Sequence, residues 1–219
     1  MRLQSAIFDM DGTLLDSMPI WDEIGPRTLR AQGIEPEPGL HDKLKVMTFR
    51  EGAQYCKDTY QLPQTVEQVM DMTKAQVKDF YNHQVEAKPG LKKFLSLLKM
   101  EGVWMYVATN TDRDLVETAL KHTGLDGYFR GILTCAEVGV GKKDSPEIYE
   151  RAMRRLRSTK RDTVVFEDAL HAIQTAKAAG FRVCGVYDDF AREEQEEIRR
   201  LSDYYIRSFE EMFETETLE

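Results

Sequence analysis

The most constraining feature of this sequence is the alternation of short apolar runs with amphipathic helical stretches over residues 1–16 and about 88–219. The runs predicted to form strands are 3–8, 103–108, 131–134, 163–166, 182–186 and 204–206. Helices are predicted between them, one of which starts after Asp112 and ends at Gly124. Strands that alternate with helices of this length form a parallel sheet covered on both faces. The sequence therefore predicts an α/β fold.

A second kind of sequence interrupts this alternation. Residues 17–85 contain no comparable strand run and have the pattern of helices. Turn-forming residues flank the block, Ser17-Met18-Pro19 on one side and Lys88-Pro89-Gly90 on the other. We therefore expect a core domain of residues 1–16 and 86–219 and a helical domain of residues 17–85 inserted after the first strand. The two turns are predicted to act as hinges, and Ser17 is predicted to shape the first hinge and cap the first inserted helix.

Composition narrows the functional classes. The 219 residues include 30 Lys and Arg against 38 Asp and Glu, and this net charge of −8 argues against a nucleic-acid or anionic-membrane partner. No apolar run approaches the roughly 20 residues of a membrane span. The three cysteines lie far apart, which argues against a disulfide framework or a zinc site and fits a cytoplasmic location. The basic cluster at residues 151–161 is expected to be a solvated face at the amino ends of the strands.

Chemically reactive side chains follow four of the predicted strands. The residues in question are Asp9 and Asp11 after the first strand, Thr109 and Asn110 after the second, Lys142 and Lys143 a few residues after the third, and Glu167 and Asp168 after the fourth. Ligands of parallel sheets bind beyond the carboxyl ends of the strands. The sequence therefore predicts that these side chains form one site.

Carboxylates, a hydroxyl and an ammonium group at one edge of a sheet suit phosphoryl transfer. Mg²⁺ prefers oxygen ligands and binds through one or two carboxylates together with substrate phosphate, a role that Asp9 and Asp168 can fill. A carboxylate can also attack phosphorus and form an aspartyl-phosphate, while a lysine and a hydroxyl stabilise the developing charge. Asp11, two residues further on, can protonate the leaving oxygen and then activate water.

Four ordered motifs carry a resemblance to a known family. They are Asp9-Met10-Asp11-Gly12-Thr13-Leu14-Leu15-Asp16-Ser17, Val107-Ala108-Thr109-Asn110-Thr111, Gly141-Lys142-Lys143-Asp144-Ser145-Pro146-Glu147-Ile148-Tyr149, and Val164-Val165-Phe166-Glu167-Asp168 with Ala176-Lys177-Ala178-Ala179-Gly180 behind it. With these motifs the chain resembles the haloacid dehalogenase superfamily, in the subgroup that has a helical cap after the first motif. Phosphoglycolate phosphatases and β-phosphoglucomutases belong to that subgroup. The resemblance implies a Rossmann-like parallel-sheet core with an inserted α-helical cap domain.

The resemblance also implies roles for the acidic residues. Asp9 resembles the nucleophile and a metal ligand. Asp11 resembles the acid/base, and its backbone carbonyl resembles a further ligand of Mg²⁺. Asp168 resembles the metal ligand of the last motif, with Glu167 as another ligand or as a partner of the ligands.

Other residues resemble the binders of phosphate and substrate. Thr109, the Asn110 amide and Lys143 match the phosphate-binding positions, and Lys142 is the alternative to Lys143 as the inward-pointing lysine. Arg50, in the inserted block, matches the substrate-binding arginine of a mutase, and its alternative role is a surface salt bridge.

The functional prediction is a Mg²⁺-dependent phosphatase that hydrolyses a small phosphomonoester, a sugar phosphate or similar metabolite, through an aspartyl-phosphate. The first alternative is a β-phosphoglucomutase, which Trp21 disfavours because a family mutase has a histidine there. The second is a non-catalytic or receiver-like phosphate-binding protein. In receivers the acid pair follows the first strand, whereas Glu167-Asp168 comes last. The expected partner is a small phosphorylated metabolite, and the oligomeric state stays open, a monomer included.

Overall fold

A computed structural model describes residues 3–45, 47–141 and 143–214 of the chain. The chain divides into two compact units. Unit 1 consists of Met1–Ser17 and Val85–Glu219, and unit 2 consists of Met18–Gln84. Each boundary lies one residue away from the division expected from the sequence.

Unit 1 is built on a six-stranded sheet in the order β3-β2-β1-β4-β5-β6, in which every neighbouring pair is parallel. The strands are β1 (Ser5–Phe8), β2 (Trp104–Thr109), β3 (Ile132–Thr134), β4 (Thr163–Glu167), β5 (Arg182–Val186) and β6 (Tyr204–Ile206). β1 and β4 are buried along their whole length. This continuous burial is typical of a parallel sheet covered on both faces, and it confirms the predicted α/β class.

Unit 2 is helical over its described residues. Its helices are α1 (Met18–Arg30), α2 (Leu40–Lys45), α3 (Phe49–Thr59) and α4 (Val66–His83). Thr48 and Thr65 begin α3 and α4, each in a capping box completed by the residue three positions later, Glu51 or Gln68. A small apolar core that includes Leu29, Leu40 and Val69 holds the four helices together.

The remaining helices cover the sheet of unit 1. They are α5 (Leu91–Met100), α6 (Arg113–His122), α7 (Cys135–Val138), α8 (Glu147–Arg155), α9 (Leu170–Ala178), α10 (Gln195–Leu201) and α11 (Glu211–Glu214), with three short 3₁₀ helices in the described chain. The main core packs Ile7 and Val165 of the sheet against Tyr149, Ala152 and Ile173 of the helices. α6 begins after Asp112, as the sequence predicted.

The two chain segments that lead into and out of unit 2 run side by side within unit 1. The Asp16 N–H donates to the Glu86 carbonyl at 3.0 Å, and the Lys88 N–H donates to the Leu14 carbonyl at 2.9 Å. An antiparallel bridge joins Leu15 to Ala87 between these bonds. These contacts hold residues 14–16 and residues 86–88 next to each other, a few residues after the end of β1.

Three expectations from composition can be compared with the structure. Cys56, Cys135 and Cys184 are buried and form no disulfide. Among the described residues, no helix combines the length and apolar character that crossing a bilayer requires. The basic cluster of α8 and the following turn is paired locally, with Arg151 and Arg154 on Glu147 and Lys160 on Glu150.

Candidate active site

The candidate site lies at the carboxyl edge of the sheet in unit 1. β1 ends at Phe8, which pairs with Val107 of β2 on one side and with Phe166 of β4 on the other. The Asp9 N–H continues this ladder by donating to the Phe166 carbonyl at 3.0 Å. The end of β1 therefore places Asp9 beside Glu167 and Asp168, which end and follow β4.

A buried ion-pair network connects the first, third and fourth motifs. The Lys143 ammonium contacts the carboxylates of Asp9 and Glu167, with a distance of 2.5 Å to Glu167 Oε1. Tyr149 of α8 donates its hydroxyl to the same Glu167 oxygen at 2.9 Å. Of the two lysines that the sequence left open, Lys143 is buried in the site, and Lys142 lies outside the described residues.

Asp168 is held by the first motif. Thr13 donates its hydroxyl to Asp168 Oδ1 at 2.7 Å, and both side chains are buried. Gly12 has a φ of +81°, and a Cβ added there would lie 2.4 Å from Asp168 Oδ2. A glycine at this position therefore serves two needs, a left-handed backbone and close approach to a carboxylate.

Three carboxylates form a cluster with the spacing that a metal ion requires. Asp9, Glu167 and Asp168 each offer an oxygen, and these oxygens all lie within 4.8 Å of one another. Oxygen ligands of this kind suit a hard divalent cation. Glu167 Oε1 already accepts hydrogen bonds from Lys143 and Tyr149, so Asp9 and Asp168 are the better-suited ligands.

The electrostatics of the cluster favour a bound cation. Burial, followed by repulsion from Glu167, raises the pKa of Asp9 to about 7, against the opposing attraction of Lys143. Burial and then repulsion from Asp9 and Glu167 raise the pKa of Asp168. Burial alone would lower the pKa of Lys143, but the carboxylates of Asp9 and Glu167 outweigh it and raise that pKa. The summed negative charge of the three buried carboxylates, when ionised, is larger than the single positive charge of Lys143, and a divalent cation would balance the difference.

Asp11 points its carboxylate at hydroxyl groups of two other segments. Ser17 donates to Asp11 Oδ1 at 2.6 Å, and Thr111 donates to Asp11 Oδ2 at 2.7 Å. Ser17 was expected to shape the hinge and cap a helix. In the structure it directly precedes α1 and its hydroxyl donates to Asp11, the predicted acid/base, while the hinge and cap roles stay predictions.

The last residue of β2 and the loop that follows it contribute the predicted phosphate binders Thr109 and Asn110. Thr109 is buried, and its hydroxyl accepts a hydrogen bond from the Thr111 N–H at 3.1 Å. Asn110 is exposed, and its Oδ1 lies 2.9 Å from the Sγ of Cys135, from which it accepts a hydrogen bond. This loop joins the site through Thr111, which contacts Asp11.

Arg50 lies in a different part of the chain from the other predicted residues. It belongs to α3 of unit 2, where its guanidinium contacts Glu67 at 2.7 Å, and both side chains are largely exposed. This contact is the surface salt bridge predicted as the alternative role of Arg50. A substrate-binding role for Arg50 stays a prediction.

Several residues of the site were not singled out from the sequence. Thr13 and Tyr149 contact predicted site residues directly, and each stands inside a recognised motif, which is the signal that could have identified it. Asp188 follows β5, is buried and receives the ammonium of Lys88 at 2.5 Å. Its negative charge also raises the pKa of Asp168, after the larger effects of burial, Asp9 and Glu167. No sequence motif pointed to Asp188.

Known proteins resemble this chain over most of its length. A phosphorylated carbohydrates phosphatase from Thermotoga maritima is 28% identical over 185 residues, which cover 84% of this chain and 85% of the relative. A crystal structure of a Thermotoga maritima protein provisionally named a β-phosphoglucomutase has a TM-score of 0.82 at 26% identity, covering 98% of this chain and 100% of that one. CbbY from Rhodobacter sphaeroides in complex with phosphate has a TM-score of 0.78 at 23% identity, covers 96% of each chain, and shows the shared fold.

The family assignment rests on a match to a family model. The model for the haloacid dehalogenase-like hydrolases matches residues 6–186, which include all four motifs and the whole inserted unit. The predicted superfamily and the predicted phosphohydrolase class are confirmed. This chain belongs to the haloacid dehalogenase-like hydrolases.

Proposed function

We propose that this protein is a Mg²⁺-dependent phosphatase that hydrolyses a small phosphomonoester, such as a sugar phosphate, through an aspartyl-phosphate on Asp9. The observation that carries the proposal is the position of the Asp9 carboxylate, which contacts the Lys143 ammonium and belongs to one cluster with the carboxylates of Glu167 and Asp168. A carboxylate placed at a cation is suited to meet the anionic phosphate without electrostatic repulsion.

Asp9 and Asp168 are the side chains that would hold Mg²⁺, and the family resemblance adds the backbone carbonyl of Asp11. When bound, Mg²⁺ supplies positive charge that neutralises phosphate oxygens and the carboxylate nucleophile together. Lys143 contributes a second positive charge, because its ammonium contacts the carboxylates of both Asp9 and Glu167. The hydroxyl of Thr109 and the amide of Asn110 complete the set of proposed phosphate ligands.

In the first step a carboxylate oxygen of Asp9 attacks phosphorus. A bond forms between Asp9 and phosphorus, and the bond from phosphorus to the ester oxygen breaks. Asp11 in its protonated form donates a proton to the departing oxygen, which leaves as an alcohol. Lys143 stabilises the charge that develops on the phosphoryl oxygens.

In the second step water replaces the carboxylate. Asp11, now ionised, removes a proton from the water, whose oxygen attacks phosphorus and releases inorganic phosphate and the free Asp9 carboxylate. Asp11 thus acts as acid and then as base, which matches its place two residues after Asp9. Its hydrogen bonds from Ser17 and Thr111 hold the carboxylate in a defined orientation.

Unit 2 is proposed to act as a cap that admits substrate and then excludes water. Exclusion of water strengthens the electrostatic contacts within such a site. Arg50, whose side chain is largely exposed, is the proposed substrate-binding residue of the cap. The Thermotoga maritima relative named for phosphorylated carbohydrates supports a sugar phosphate as the substrate class.

A screen of phosphate esters with and without Mg²⁺ tests the proposal. We expect Mg²⁺-dependent release of inorganic phosphate from at least one sugar phosphate, and loss of that release in Asp9→Asn. Asp79→Asn, which alters an exposed carboxylate of unit 2 paired with Arg27, is the matched control and should retain activity. Full turnover by Asp9→Asn would refute the covalent mechanism.

The same screen distinguishes hydrolysis from mutase chemistry. The mutase alternative is retained because the Thermotoga maritima structure is provisionally named a β-phosphoglucomutase. A mutase would interconvert glucose-phosphate isomers and release little inorganic phosphate. That result would replace the phosphatase proposal with the mutase alternative, while phosphate release from the same isomers would exclude it.

A further inference from the structure

Tyr149 is a fully buried phenol whose hydroxyl serves a charged group of the site. The residue lies in the first turn of α8, six positions after Lys143, and its side chain has no exposed surface. Its ring packs edge-on against Phe181, with ring centroids 6.2 Å apart. The hydroxyl donates to Glu167 Oε1 at 2.9 Å. The aromatic body is therefore part of the core, and the hydroxyl is the part that reaches the site.

Glu167 needs this donor because it is buried completely. A buried carboxylate is tolerated only when it is paired with positive charge and hydrogen-bonded. Glu167 Oε1 accepts from the Lys143 ammonium at 2.5 Å and from Tyr149, whereas Glu167 Oε2 has a weak contact of 3.5 Å to the Ala169 N–H. Lys143 and Tyr149 thus donate to the same oxygen of Glu167. The strength with which this oxygen attracts the Lys143 ammonium therefore depends on the hydrogen bond from Tyr149.

Lys143 is also in contact with Asp9, so its position reflects a balance between two carboxylates. The Tyr149 hydroxyl partly neutralises one of them. Without that hydroxyl, the Glu167 oxygen would attract the ammonium more strongly and draw it away from Asp9. The phenol is a dependable donor, since burial and the neighbouring Glu167 raise its pKa and keep its proton in place.

We infer that Tyr149 is a positioning residue for phosphoryl transfer, which holds Lys143 at Asp9 by donating its hydroxyl to Glu167. This inference rests on the proposed function of Lys143 in stabilising the phosphoryl oxygens. It also assigns Glu167 to placement of the lysine, one of the two roles that the sequence left open.

The test compares Tyr149→Phe with Tyr205→Phe. Tyr205 packs against the same core, and its hydroxyl donates to Gln195 at 2.9 Å, so the control also loses one hydrogen bond between side chains. We expect Tyr149→Phe to lower kcat by about 10- to 100-fold, the range for loss of a hydrogen bond to a charged group, and to change KM by less than about threefold. Tyr205→Phe should retain the kcat of the wild type.

A double-mutant cycle with Lys143→Met separates positioning from packing. If Tyr149 acts through Lys143, Tyr149→Phe should cause no additional loss of kcat in the Lys143→Met background. A packing role would give the same loss in both backgrounds and would overturn the inference. Failure of Tyr149→Phe to fold would also overturn it, because the hydroxyl would then serve stability.

A crystal structure of Tyr149→Phe provides a readout that does not depend on activity. We expect the distance from Lys143 Nζ to the Asp9 carboxylate to lengthen beyond about 3.5 Å, the limit of a hydrogen bond. An unchanged contact would contradict the inference even if kcat fell. Wild-type protein that hydrolyses no ester would contradict the proposed function instead, so the two failures can be told apart.

Discussion

Replacement of Gly12 by alanine tests how closely the first motif must approach Asp168. A Cβ at this position would lie 2.4 Å from Asp168 Oδ2 and 2.7 Å from its Cγ, whereas ordinary contacts begin at 3.4 Å. Asp168 must therefore retreat by about 1 Å, a displacement that can cost about 100-fold in rate at a reaction centre. We expect Gly12→Ala to lower kcat/KM by about 100-fold, or ~2.7 kcal/mol, and to weaken Mg²⁺ binding.

The backbone adds a separate and measurable effect on stability. Gly12 has a φ of +81°, and an alanine in this left-handed region costs ~1–2 kcal/mol. For a chain of this size that corresponds to a decrease in Tm of about 2–8 °C. Gly180→Ala is the matched control, since Gly180 has a φ of +85° and no atom within 4 Å of an added Cβ.

Steady-state kinetics on the best ester of the screen, Mg²⁺ titrations and thermal unfolding of both variants provide the measurements. Both variants should lose similar stability, and only Gly12→Ala should lose activity and metal affinity. If the two variants have the same kcat/KM, the close approach to Asp168 has no functional consequence and the reasoning is wrong.

Two further predictions concern the charges of the site. Burial and then repulsion from Glu167 raise the pKa of Asp9 to about 7. Between about pH 4 and 7, Asp9 therefore holds a proton in the metal-free folded chain but not in the unfolded chain. The free energy of unfolding should consequently fall as pH rises through this range. Because Mg²⁺ must displace that proton, calorimetry should show that the affinity for Mg²⁺ decreases about tenfold for each pH unit below 7. A Mg²⁺ affinity that does not change with pH would contradict this prediction. Thr13→Val removes the 2.7 Å hydrogen bond to Asp168 and should weaken Mg²⁺ binding by about tenfold or more, whereas Thr28→Val, in the core of unit 2, should not; equal affinities would assign Thr13 to packing alone.

Strand positions followed closely from local patterns. The predicted runs 182–186 and 204–206 coincide with β5 and β6, and the run 103–108 differs from β2 by one residue at each end. Thr109 joins β2 because it pairs with Thr134 of β3, a partner 25 residues away. The residue at which a strand ends depends on its pairing with a neighbouring strand. A short stretch of sequence contains no information about that pairing.

The candidate site was predictable to the extent that its residues share one edge. Asp9, Glu167 and Asp168 end or directly follow a strand, Lys143 lies nine residues after the end of β3, and the rule for parallel sheets predicted that they share one edge. The rule does not say which oxygen contacts which donor. Lys143 bridges Asp9 and Glu167 because of how the segment before α8 packs, which is a property of the tertiary structure.

The hydrogen bonds that orient Asp11 could not be predicted from the sequence either, because they too depend on how distant segments pack. Ser17 and Thr111 meet at Asp11 although 94 residues separate them in the chain. Each hydroxyl alone reads as a helix cap or a solvated side chain, because serine and threonine are common in both places. Their function as partners of a carboxylate emerges when the linker and the loop after β2 are folded beside β1.

The sequence by itself determined the α/β class, the inserted helical unit and the identity of the charged groups, because periodicity and motif order are local properties of the chain. Tertiary structure alone decided the pairing of those charges: Lys143 shared between Asp9 and Glu167, Asp168 bound by Thr13, and Tyr149 bound to Glu167. The physical reason is that buried charges must find partners at distances of a few ångströms, and the available partners are those that the packing of distant segments places within reach.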